Sequence, residues 1–266
     1  MIQIGVSTAC LYPEKTEQAL TELLRQGFRQ FEFFFNSAGE LRTEYLREIE
    51  KQMTCCGARA VSVHPFSSGI ESTLFFSAYE RRFSDSVELY KPYFEAAAQI
   101  AAPVLVLHGD KAQAVSEQES FERFARLAEE AMRFGVTLAQ ENVRSRRSAS
   151  PEVIARMRTF LGDRAAFVLD LKQAALAGED PLIMCRAMGG GLRHLHLNDF
   201  SAQNACLLPG QGNMDYRALF RQLQEQNFAG TAVIEVYREN FGQREELCRS
   251  KEWLESLQPP DRQKLN

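Results

Sequence analysis

The chain has little that would commit it to thiol chemistry. Its six cysteines (Cys10, Cys55, Cys56, Cys185, Cys206 and Cys248) form no CxxC pair and no framework spacing. They read as reduced thiols and argue against a zinc-thiolate site. No apolar run reaches 18 residues, so no membrane-spanning helix is expected. The first residues, MIQIGVSTACLYP, open on a strand-like run, with no basic segment ahead of an apolar one. No signal peptide is expected, and the cytoplasm is the expected location. Positive charge is not in excess either: 31 Lys and Arg against 35 Asp and Glu leave a formal charge of −4. No overall field draws the chain to a nucleic-acid backbone, so a nucleic-acid partner is not expected.

What is present is enough apolar material for a full core, with 45% hydrophobic and 25% charged residues, as in soluble globular proteins. Short runs rich in β-branched and aromatic residues alternate with helical patterns. The strand-like runs are 2–8, 30–35, 59–64, 103–108, 136–141, 166–170, 192–197 and 231–236; helical stretches include 16–26, 42–53, 84–101, 117–134 and 215–226. Alternation of this kind predicts a parallel sheet with helical crossovers. Eight such units in 266 residues predict the α/β class and a closed (β/α)8 TIM barrel, a fold of about 250 residues. One domain over 1–266 is expected, with a polar tail at 257–266.

Gly27, Gly57 and Gly135 follow helical runs, where a left-handed cap favours glycine. Ser150-Pro151 and Asp215 precede helical runs as caps and first-turn residues. Gly189-Gly190-Gly191 reads as a turn, and Pro209-Gly210-Gln211-Gly212 as part of the rim of a site. The stretch 65–83 exceeds a usual loop. Its Phe75, Phe76 and Tyr79 either close over a small ligand or pack a short extra helix.

Four positions stand out. Glu141, Asp170, His196 and Glu235 lie at the carboxyl ends of the successive runs VTLAQE, AAFVLD, RHLHLND and TAVIEV, spaced 29, 26 and 39 residues apart. One strand plus one helix per step returns the chain to the same end of the sheet, so these side chains converge on one mouth. Three carboxylates with one imidazole suit a hard or borderline divalent ion, Mn²⁺ first, with Mg²⁺ or Co²⁺ next and Zn²⁺ also compatible.

The motifs VHPF, LHGD, LAQEN, VLD, HLHLND, LPGQG and VIEVYR, in that order over the whole chain, resemble the xylose isomerase-like TIM barrels. That group includes ketose 3-epimerases, hydroxypyruvate isomerases, inosose dehydratases and endonuclease IV-type enzymes. The resemblance implies that Glu141, Asp170, His196 and Glu235 bind one divalent metal, and that Glu141 and Glu235 also act as acid and base. It implies proton abstraction next to a carbonyl of a small sugar, sugar phosphate or keto-polyol through a metal-stabilised enediolate. An inosose-type dehydratase is the alternative, followed by an endonuclease IV-like enzyme acting on abasic DNA and by a non-catalytic sugar-binding barrel. A small carbohydrate is the expected partner, and a homo-oligomer is compatible with the pattern.

The chain departs from the family at the sixth strand. A frequent D-x-x-H becomes Asp170-Leu171-Lys172-Gln173, and the arginine of the ketose 3-epimerases is absent after HLND. Lys172 either offers a cation to the chemistry or points to solvent; with Gln173 it stands where the family histidine acts on substrate. His64 and His108, ending the third and fourth strands, are expected to contact substrate. His194 is expected one layer deeper. Glu32, within FEFFF, is either a substrate contact or half of a buried ion pair. Arg238 and the cluster Arg144, Arg146 and Arg147 are candidates for a phosphate or carboxylate.

Overall fold

Eight parallel strands pair in sequence order, and the first pairs with the last to close the barrel. The computed structural model describes residues 2–259. The strands are β1 (Ile4–Ser7), β2 (Gln30–Phe35), β3 (Arg59–Pro65), β4 (Val104–Leu107), β5 (Thr137–Glu141), β6 (Phe167–Asp170), β7 (Leu192–Leu197) and β8 (Thr231–Ile234). The helices are α1 (Thr16–Arg25), α2 (Thr43–Cys55), α3 (Glu71–Phe75), α4 (Glu80–Gln99), α5 (Glu117–Met132), α6 (Pro151–Leu161), α7 (Leu171–Leu176), α8 (Pro181–Met188), α9 (Tyr216–Glu225) and α10 (Glu245–Leu257). This is the expected (β/α)8 barrel.

Alternation along each strand sorts the residues into two layers. Phe31, Phe33 and Phe35 of β2, Leu105 and Leu107 of β4, Phe167 and Leu169 of β6, and Leu195 and Leu197 of β7 join the large cluster packed with the helices. Val104, Val106, Ala139, Ala166 and Val168 form a separate apolar plug, on the opposite parity and therefore inside the barrel. The same inward parity holds Glu32, Ser62 and His194, all fully buried. The barrel interior is thus apolar beside β4–β6 and polar beside β2, β3 and β7.

Local punctuation behaves as read. Ser150 Oγ accepts from Val153 N at 3.4 Å with Pro151 opening α6, and Asp215 accepts from Ala218 N at 2.9 Å to open α9. Gly27, Gly57 and Gly135 have φ of +88°, +62° and +75°, a region costly for other residues. Gly189–Gly191 is a short turn leading into β7.

Residues 65–83 resolve into a 3-10 turn (Phe66–Ile70), α3 and the start of α4. Phe75 and Phe76 are buried, Phe75 lying edge-on to Tyr90 at 4.7 Å, while Tyr79 is exposed. The extra-helix reading holds, and these aromatics do not close over the barrel mouth. α10 extends through Leu257; most of the expected polar tail at 257–266, residues 260–266, lies outside the described residues. No helix among the described residues is long and apolar enough to cross a membrane.

All six cysteines are free, with Cys55 and Cys56 exposed. Burial pushes the Cys10 thiol up to about 12 and that of Cys185 to about 11. Because the thiolate is the nucleophile, Ellman's reagent at pH 8 is expected to titrate Cys55 and Cys56 promptly and leave Cys10 and Cys185 silent until denaturant is added. Prompt reaction of Cys10 or Cys185 in the native protein would contradict this packing.

Candidate metal centre and substrate cavity

Glu141 ends β5, Asp170 ends β6, His196 is the penultimate residue of β7, and Glu235 lies one residue beyond β8. Its N–H still donates to Leu197 O at 3.1 Å, continuing the ladder. The strand register therefore delivers all four side chains to one spot, where one ligand atom from each lies within 4.8 Å of the others. His196 Nδ1 is 3.1 Å from Glu141 Oε1, 3.4 Å from Glu235 Oε2 and 3.7 Å from Asp170 Oδ2.

Neighbouring amides hold the carboxylates in place. Asn142 clasps the end of β6, donating to Asp170 O at 2.9 Å and accepting from Asp170 N at 2.8 Å. Asp170 Oδ1 accepts from Gln173 N and Asn198 Nδ2, both at 3.1 Å, and caps α7. Only Oδ2 is left to face His196. Gln140 bridges β4 and β5, donating to Leu107 O, His108 O and Glu141 O. These amides were not singled out in the sequence, although LAQEN and HLND contain them.

Beneath the four lies Glu32. Its Oε2 is 3.0 Å from His196 Nε2, 3.3 Å from His194 Nε2, and accepts from Ser62 Oγ at 2.8 Å. Glu32 is fully buried, so the buried-ion-pair reading is the one it matches, and substrate contact is not. The carboxylate at Nε2 orients the ring and leaves Nδ1 toward the other three acids. Burial alone would push His196 down, but Glu235, Glu32, Asp170 and Glu141 outweigh it and hold the ring well above the usual histidine range. Burial would likewise raise Glu141 and Glu32, yet His108 and His196 hold Glu141, and His196 and His194 hold Glu32, well below the usual carboxylate range.

Above the cluster opens a cavity of ≈540 Å³ lined by Ala9, Tyr12, Phe34, Asn36, His64, Phe66, Ser68, His108, Glu141, Lys172, Gln173, Glu235 and Tyr237, a size suited to a small ligand. His64 and His108 meet at 3.1 Å between ring nitrogens, and His108 Nε2 is 2.9 Å from Glu141 Oε2. Burial and His108 push His64 down, whereas Glu141 outweighs burial and raises His108. A larger groove of ≈830 Å³, between α7–α8 and the loop after β7, holds none of these groups.

Lys172 does not point to solvent. Its buried ammonium donates to Asp170 Oδ2 at 2.5 Å and Glu235 Oε2 at 2.7 Å; these two acids outweigh burial and hold it well above the usual lysine range. Gln173 reaches the cavity wall and accepts from Arg144 N at 3.1 Å.

None of the four arginines lines the cavity. Arg238, expected to contact substrate, donates to Phe241 O at 2.8 Å and lies over the Phe241 ring, outside the cavity lining. Arg147 pairs with Asp110 at 2.9 Å, and Arg146 is buried against Ser68 O at 3.2 Å. Asp199 serves its own loop, accepting from Phe200 N, Gly210 N and Met214 N. This hub shapes the Pro209–Gly212 turn; a side chain on Gly212 would collide with the Asp199 carboxylate, 2.4 Å from its Cβ position.

The donor set fits a divalent cation. Three carboxylates and one imidazole nitrogen are the right chemistry. Glu141 Oε2 is buried with the His108 ring 2.9 Å away but with no aligned hydrogen bond among the described residues, which leaves it able to bind a cation. Several wall residues were not singled out in the sequence, although VHPF contains Phe66 and VIEVYR contains Tyr237: Tyr12, Phe34, Asn36, Phe66, Ser68 and Tyr237 come from loops and strand ends whose convergence depends on the closed barrel.

A family model for the xylose isomerase-like TIM barrel matches residues 20–257, and the chain belongs to that family. An uncharacterized protein of Mycobacterium leprae is 29% identical over 258 residues, covering 89% of each chain. Among solved structures, a D-tagatose 3-epimerase-like protein superposes with a TM-score of 0.79 at 20% identity, covering 96% of this chain and 97% of that one. The 3-keto-D-glucoside 4-epimerase YcjR of E. coli superposes with a TM-score of 0.76 at 17% identity, over 96% and 100%. At these identities the superpositions establish the fold.

Glu32→Leu is expected to cost about 3–5 kcal/mol in urea denaturation, because it strands His196, His194 and Ser62 in a dry interior. Glu32→Gln, which still accepts from Ser62, should cost less. If Glu32→Leu costs under about 1 kcal/mol, Glu32 does not hold His196.

Proposed function

We propose that the protein is a divalent-metal-dependent isomerase or epimerase of a small sugar or keto-polyol, with Glu141 and Glu235 as acid and base. The observation that carries this reading is their placement: both carboxylates line one cavity while both also face His196 Nδ1. A divalent ion held by Glu141, Asp170, His196 and Glu235 would polarise a substrate carbonyl and acidify the adjacent C–H. We take Mn²⁺ as the first choice, since the oxygen-rich set does not select for zinc.

The chain's own residues supply the rest. Glu141 and Glu235 reach the substrate from different strands, so one, as carboxylate, removes the carbon-bound proton and the other, starting as the protonated acid, delivers its own proton to the opposite face, which inverts the carbon. One carboxylate acting alone would move the carbonyl instead. His64, His108, Asn36 and Gln173 offer hydrogen bonds to hydroxyls. Tyr12, Phe66 and Tyr237 are half exposed around the mouth and suit the apolar face of a sugar ring. Among the described residues Lys172 is the lining's only lysine or arginine. The free cysteines suit a reducing compartment, consistent with the cytoplasm.

Dehydration of a keto-polyol is the second reading, favoured by the His64–His108 pair against Glu141, which places a proton donor within reach of a departing hydroxyl. Both readings predict exchange of a substrate carbon-bound proton in D₂O. With Mn²⁺ present, wild type is expected to exchange such a proton in at least one of a panel of ketoses, keto-acids and inososes. Glu141→Gln and Glu235→Gln should each slow exchange about 10²–10⁴-fold. Loss of water in the same spectra selects the dehydratase, and exchange in none of the panel overturns both.

A further inference from the structure

The carboxylates of the candidate metal centre already hold a cation that belongs to the chain. Lys172 stands two residues after Asp170, at the start of α7, and its backbone N–H is fixed by Asn198 Oδ1 at 2.6 Å. That anchor turns the side chain back over the strand end, where its ammonium sits 2.5 Å from Asp170 Oδ2 and 2.7 Å from Glu235 Oε2. Those are the same two oxygens that face His196 Nδ1, at 3.7 and 3.4 Å. Asp170 has no alternative oxygen to offer, because Oδ1 is spent on Gln173 N and Asn198 Nδ2.

From this geometry we propose that Lys172 and a divalent ion are alternative occupants of the Asp170–Glu235 carboxylate pair, so that metal enters only as the ammonium leaves. The inference rests on the metal-centre reading and deepens it. An ion bound to Asp170 Oδ2 sits about 2.0–2.2 Å from that oxygen. With Nζ 2.5 Å from the same atom, the two cations would lie within about 5 Å of each other in a buried space. Each also removes the negative charge that the other needs. Without metal, Lys172 relieves the repulsion between buried acids; with metal, that role passes to the ion.

The displaced ammonium has somewhere to go. Lys172 lines the cavity, and its Nζ is 5.6 Å from the centroid of the Tyr237 ring at the mouth, within reach of a cation–π contact. Metal entry therefore transfers a positive charge from the carboxylates to the wall of the substrate cavity, where it can meet a substrate oxygen.

The test is calorimetric titration of metal-stripped wild type and Lys172→Met with Mn²⁺, followed by Mg²⁺ titration of ¹⁵N-lysine-labelled wild type by NMR. Lys172→Met is expected to bind Mn²⁺ about 100-fold more tightly, since it no longer bears the cost of expelling its own cation. The Lys172 ammonium resonance, assigned by its absence in the variant, is expected to shift to a new saturating position as Mg²⁺ binds. Equal or weaker Mn²⁺ binding by a folded Lys172→Met overturns the inference and leaves the metal centre standing. So does metal binding to wild type with an unmoved Lys172 resonance, a result available even if the variant does not fold. Absence of metal binding by both proteins overturns the metal centre and the inference together.

Discussion

Three carboxylates packed around one imidazole, away from water, require compensating positive charge. Glu141 and Asp170 are almost completely buried, and Glu235 is largely so. Charged groups that close in a poorly solvated space repel strongly unless a cation stands among them. The surrounding structure answers that requirement from every side: His196 between all three, His108 against Glu141, and Lys172 across Asp170 and Glu235. Glu32 below His196 then balances the imidazole from its other nitrogen. Removing any one member leaves an uncompensated buried charge, so the cluster behaves as a unit.

The barrel is built to hold such a unit. Its interior is divided between the Val104, Val106, Ala139, Ala166 and Val168 plug and a polar column of Glu32, Ser62 and His194. The plug supplies rigidity at β4–β6, directly beneath Glu141 and Asp170. The column carries hydrogen bonds from the centre of the barrel to His196, and His194 Nδ1 extends it to Thr231 Oγ1 at 2.6 Å. Asn142, Asn198 and Gln140 tie adjacent strand ends together. The acids are therefore placed by backbone-anchored amides at the strand ends, while the aromatic rim of Tyr12, Phe66 and Tyr237 comes from the segments that follow the strands.

Most of the architecture was legible from periodicity. The runs at 30–35 and 192–197 coincide with β2 and β7, because FEFFF and LRHLHL alternate cleanly between a layer under the helices and the barrel interior. The run at 231–236 extends past β8, which ends at Ile234; Val236 is apolar and extends the pattern, although the ladder has ended. At 65–83, phenylalanine content alone could not distinguish a lid from a packed helix. Burial of Phe75 against Tyr90 of α4 decided it, a contact between segments that only the folded chain brings together.

The repeat of strand and helix, hence the barrel, and the strand-end positions of Glu141, Asp170, His196 and Glu235 are written in the order of residues along the chain. Both follow from local pattern and spacing, which parallel pairing converts directly into position. The tertiary structure alone decided what each polar residue touches. Glu32 became the partner of His196 rather than a contact for substrate, Arg238 turned to its own loop, and Lys172 folded inward onto two acids. Those outcomes depend on side-chain direction and on charges brought together from strands up to 164 residues apart, as Glu32 and His196 are. No local pattern carries that information, because the field at each side chain is the sum over neighbours that are distant along the chain.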